Sequence, residues 1–125
     1  MKYLWFLLLL GLMTSTATTA NAEEAPYRHI VLLKFKDAAP AAEVKKIEDA
    51  FAALKGQIEL VKGFEWGTNV SPEGLSQGFT HIYFVTFASK ADLEKYLPHP
   101  AHQDFVTLLK TQVDKVLVVD YVAKP

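Results

Sequence analysis

Two stretches of this chain carry apolar residues on both faces of a strand, and that restricts the fold more than any other feature. In Phe79–Phe87 one parity holds Phe79, His81, Tyr83, Val85 and Phe87, and the other holds Thr80, Ile82, Phe84 and Thr86. In His29–Lys36 one parity holds His29, Val31, Leu33 and Phe35, while Ile30 and Leu32 stand on the other. A half-buried strand alternates apolar and polar, so strands of this kind are covered on both sides. One layer of helices covers only one side. The other face, with Ile30, Leu32, Ile82 and Phe84, then calls for a partner, and a second copy of the chain in a two-fold homodimer is the expected one.

The remaining elements follow from periodicity and punctuation. Val44, Ile47, Phe51 and Leu54 recur at helical spacing in Ala41–Lys55, with Gly56 as the expected stop. Val61–Val70 reads as a bent strand and Ser71–Gly78 as a loop. Ser89 is an N-cap with Asp92 three residues on. The helix it opens runs to Tyr96 and meets Pro98, and Pro100 suits the start of a further helix, Ala101–Lys115, with Val113 inward. Val116–Val122 closes the chain as a strand. The order is strand, helix, strand, strand, broken helix, strand. That is the ferredoxin-like βαββαβ pattern, an α+β fold with an antiparallel sheet and its helices on one face.

Composition narrows the function. Thirteen Lys and Arg stand against fourteen Asp and Glu, which gives no cationic surface for nucleic acid. With no cysteine, disulfides, zinc–thiolate sites and thiol nucleophiles are excluded. Residues 1–22 carry Lys2, an apolar run from Leu4 to Met13 and the tract Ala20-Asn21-Ala22, the parts of a secretory signal peptide. The run is short for a membrane span, which takes about 17–25 residues. The expectation is a domain at 23–125 exported to the periplasm or the extracellular space, with no membrane association after cleavage.

HIVLLKFK, FEWGTNVSPEG, GFTHIYFVTF, YLPHPAHQDF and VLVVDY together resemble the stress-responsive dimeric α/β-barrel (Dabb) family over Tyr27–Tyr121. The resemblance implies a ferredoxin-like protomer that dimerises through its sheet into a barrel. Most of the family has no assigned activity, but it includes a plant polyketide cyclase that closes a ring by aldol condensation without metal or cofactor. Carried over by position, the cyclase's acid/base histidine falls on His102 and its tyrosine on Tyr96. Its pocket falls on His29, His81, Val31, Leu33, Ile47, Phe51 and Tyr83.

The residues themselves allow this chemistry. A neutral histidine takes a proton from an activated methylene, and a tyrosine hydroxyl stabilises the resulting oxyanion. Asp120 is the one charge in VLVVDYV, and a carboxylate there is costly unless paired. We expect it to orient His102. His102 can equally be a structural link, and His99, before a proline, reads as structural or exposed. No tight ligand motif unites the four histidines, so no metal is expected. Three functions stand open: an exported homodimeric Dabb module, stress-related or binding a small ligand; a cofactor-free acid/base enzyme acting on a small carbonyl compound; and, by fold analogy alone, a cofactor-independent monooxygenase.

Overall fold

The computed structural model describes residues 25–125; the segment read as a signal peptide lies outside them. Four strands, β1 (Tyr27–Phe35), β2 (Gly63–Thr68), β3 (His81–Phe87) and β4 (Val113–Val122), form one sheet in the order β2-β3-β1-β4. Every neighbouring pair is antiparallel. Helix α1 (Ala41–Gln57) follows β1, and α2 (Lys90–Tyr96) and α3 (Pro100–Lys110) lie between β3 and β4. The expected ferredoxin-like order is the one observed.

The strand parities sort as the sequence requires. Tyr27, His29, Val31 and Leu33 of β1 and His81, Tyr83, Val85 and Phe87 of β3 are buried toward the helices. They meet Ile47, Phe51 and Leu54 of α1, Leu93 and Tyr96 of α2, and Phe105 and Leu109 of α3. Ile30, Leu32, Ile82 and Phe84 on the far face are only half-buried. Leu117, Val119 and Tyr121, which pair with Leu32, Ile30 and Arg28, extend that face and are 42–48% exposed. The protomer thus leaves an apolar sheet surface bare.

Strand β1 starts two residues before the expected His29 and ends one before Lys36, β2 is shorter than the expected Val61–Val70, and three further boundaries shift. Helix α1 passes through Gly56 and ends at Gln57, two residues beyond Lys55, and its C-cap Ile58 sits in the core, where it is 2% exposed. A glycine inside a helix costs about 1 kcal/mol, which burial of an isoleucine offsets. Helix α3 stops at Lys110 rather than Lys115, in a tight turn where Thr111 N–H and Oγ1 both donate to the Leu108 carbonyl. Val113 therefore opens β4 instead of ending the helix. Strand β3 begins at His81, after Gln77 and Gly78 adopt positive φ, 57° and 83°. A side chain at Gly78 would meet the Lys34 stem at 3.0 Å.

Candidate functional site

Between α2–α3 and the β1–β4 half of the sheet lies a cavity of about 490 Å³, lined in part by His29, Val31, Phe51, His102, Phe105 and Asp120. The punctuation of α2 and α3 places its histidines. Ser89 Oγ accepts from Asp92 N–H at 3.2 Å and starts α2. The chain turns at Pro98, His99 Nδ1 accepts from Ala101 N–H at 3.1 Å as the N-cap of α3, and Pro100 occupies the first turn. His99 is thus structural.

This turn aims the Leu97 carbonyl at His102. His102 Nδ1 donates to it at 2.8 Å, and Gln103 Nε2 donates to the same oxygen at 2.7 Å. A carbonyl only accepts, so in the neutral ring Nδ1 carries the proton and Nε2 keeps its lone pair. Burial pushes the His102 pKa below its ordinary value; the Leu97 bond opposes this, and His29 and His99 add to the lowering. The lowering favours the neutral imidazole, and the Leu97 carbonyl fixes its tautomer.

Asp120 does not orient His102. His29 Nδ1 donates to Asp120 Oδ1 at 2.6 Å, and Tyr27 OH donates to Oδ2 at 3.0 Å. The register decides this, since Asp120 stands directly opposite His29 on the adjacent strand and side chains so paired share a face. The Nδ1 of His102 is already taken by Leu97. Sequence reading missed both Tyr27 and the Leu97 carbonyl. Tyr27 was within reach, because it precedes His29 by two residues and so shares its face. A backbone acceptor leaves no signal in side-chain identity.

Tyr96 lies behind the cavity wall. It is 1% exposed, with its ring 4.4 Å from that of His102 and 6.2 Å from that of His29. Burial drives its pKa far up, so the hydroxyl stays neutral. It joins the two histidines by packing, and it does not line the cavity as an oxyanion donor would.

The expected pocket set divides. His29, Val31 and Phe51 line the cavity; His81, Leu33, Ile47 and Tyr83 do not. His29 pairs with Val85 and His81 with Leu33, so the two histidines stand four residues apart along β1, about 13 Å. Leu33 and Ile47 are closed core positions, and Tyr83 stacks between Phe51 at 4.1 Å and Trp66 at 5.5 Å. The aromatic stack fills the space that would have joined the two ends. The Tyr83 hydroxyl is buried without a partner, and its pKa is raised by burial and then by Glu48. His81 shares a hydrogen bond with Thr80 Oγ1 at 2.8 Å and faces Glu48 Oε2 at 3.5 Å. Among the described residues no three His, Asp or Glu side chains converge as a metal site.

The sequence model of the stress-responsive A/B barrel domain (Dabb) matches residues 27–123. The chain belongs to this family. It is 44% identical over 101 residues to the stress-response A/B barrel domain-containing protein HS1 of Arabidopsis thaliana, covering 79% of this chain and 93% of that one. It is 33% identical over 94 residues to olivetolic acid cyclase of Cannabis sativa, covering 75% and 93%. Among solved structures, the hydroxynitrile lyase of Passiflora edulis superposes with a TM-score of 0.76 at 27% identity, covering 81% and 95%. A dimeric ferredoxin-like protein of unknown function from Bacteroides fragilis gives a TM-score of 0.64 at 25% identity, covering 78% and 96%. The chain is thus similar both to named enzymes and to a protein of unknown function.

Proposed function

We propose that this Dabb protein is an exported homodimer whose cavity performs proton transfer on a small carbonyl compound, using its own side chains. The observation that carries this is the pair of differently locked histidines in one cavity. His102 has its proton fixed on Nδ1 by a carbonyl, which leaves Nε2 as base; His29 has its Nδ1–H on a carboxylate. His102 takes a proton from the carbon beside the substrate carbonyl, and the electron pair of that C–H bond moves onto the carbonyl oxygen as an enolate. Asp120 accepts the Nδ1–H of His29 and fixes the orientation of that ring in the cavity wall beside the reacting carbonyl. His102 then returns its proton to carbon, or the enolate attacks a second carbonyl. That one relative is named a cyclase and another a lyase supports this reading.

The homodimer is supported by the bare apolar sheet face and by the dimeric relative from Bacteroides fragilis. Export rests on residues 1–22 and is checked by N-terminal sequencing of the mature protein, expected to start at Glu23.

The test of catalysis is exchange of α-protons for deuterium in a panel of methyl ketones, followed by NMR. His102→Gln should lower the exchange rate by about 100-fold or more with its circular dichroism unchanged. Wild-type exchange no faster than buffer across the panel overturns the catalytic reading. Saturable binding without exchange would mark the second reading, a small-ligand-binding module, which the withdrawal of Tyr96 behind the wall favours.

A further inference from the structure

The cavity has two chemically different ends. Helix α3 and strand β4 run antiparallel along it, so His102 at the start of α3 lies toward Asp120 at the end of β4. Lys110, the last residue of α3, lies toward Asp114 at the start of β4, and both line the cavity. Between these ends the walls are apolar, with Val106, Leu109, Val116 and Val118. The space is a slot with a histidine–carboxylate end, a greasy middle and a lysine end.

The charges at the two ends are not equivalent. Asp114 faces Lys34 Nζ at 3.5 Å. Among the described residues Lys110 has neither an ion pair nor a hydrogen bond from its ammonium, so this end carries an uncompensated positive charge. At the other end Asp120 repels a carboxylate, while the two imidazoles suit a neutral carbonyl. An anionic ligand therefore has one favourable orientation. The eight residues from His102 to Lys110 rise about 12 Å along α3, a span that an extended chain of roughly ten carbons matches.

We infer that the cavity takes a linear oxo-carboxylic acid of about ten carbons, with its ketone at His29 and His102 and its carboxylate on Lys110. The ketone end of this inference rests on the proton-transfer reading above; the carboxylate end rests on Lys110 alone. Lys110 is here a specificity residue, outside the proton-transfer group.

The probe is a ten-carbon acid with a methyl ketone at the far end, compared by calorimetry with the methyl ketone of equal length that lacks the carboxylate. Wild type should bind the oxo acid about fivefold more tightly than the neutral ketone. Lys110→Gln, an exposed substitution, should erase that preference and leave the affinity for the neutral ketone unchanged. Equal affinity for the two probes in wild type, a preference that survives in Lys110→Gln, or no saturable binding of either overturns the inference. Deuterium exchange at the ketone, measured on the same samples, separates the two proposals. A Lys110-dependent preference without exchange supports the slot and removes the catalysis; exchange without the preference does the reverse.

Discussion

Replacing Asp120 by alanine should destabilise the protein more than replacing it by asparagine, and the difference can be worked from three side chains. The carboxylate accepts from Tyr27 OH and from His29 Nδ1–H, and those residues are 8% and 6% exposed. Alanine orphans both donors. An unsatisfied buried donor costs about 1–3 kcal/mol, and the Asp120 side chain is itself 26% exposed, so water recovers part of the loss. A total of about 2–4 kcal/mol is expected, which lowers the Tm of a domain this size by about 10–20 °C. Asparagine keeps both contacts, since its carbonyl accepts from His29 while its amide donates to the Tyr27 oxygen. It forfeits only the charge, at a cost of about 1 kcal/mol. Tyr27→Phe leaves one oxygen to solvent and should cost about the same. Thermal melts at one fixed subunit concentration and pH 7 test the ranking, because dimerisation makes Tm concentration-dependent. If asparagine proved as damaging as alanine, charge rather than hydrogen bonding would be the source, and this account of Asp120 would fail.

Two further outcomes follow from the same geometry. His102 has a folded-state pKa below its unfolded value, so the unfolded chain binds more protons as pH falls through about 6.5. Stability from this group is present above the unfolded pKa and is lost as pH falls toward the folded one. Urea midpoints at pH 7.5 and 5.5 should therefore fall less in His102→Gln than in wild type, and equal falls would refute the assignment. Leu117→Arg places a charge in the bare apolar face of β4, where Leu117 is 42% exposed in the protomer. Light scattering at micromolar concentration should report one subunit instead of two, with secondary structure retained; a persisting dimer would show that another surface joins the copies.

Much of the fold was legible because its signals are local. Alternation along Phe79–Phe87 fixed which residues face the helices, helical spacing fixed the inner face of α1, and Ser89 and Pro100 marked where α2 and α3 begin. Element ends were less legible where burial overrode a local stop. Gly56 is a helix breaker by propensity, yet α1 includes it and ends only at Gln57, with its C-cap Ile58 buried in the core.

The candidate site divides along the same line. Sequence alone singled out His29, His102 and Asp120, because a histidine or carboxylate amid apolar residues needs a partner to be tolerated. It could not determine the partners. The pairing of β1 with β4 joins residues 91 positions apart with no hairpin between them, and its register alone gave Asp120 to His29 and Tyr27. The Leu97 carbonyl that holds His102 belongs to the backbone, which is identical at every residue until a turn aims it. Tyr83 closed one end of the expected pocket through a stack whose members come from α1, β2 and β3. Residue type is a property of one position, whereas contact between distant positions exists only once the chain has folded.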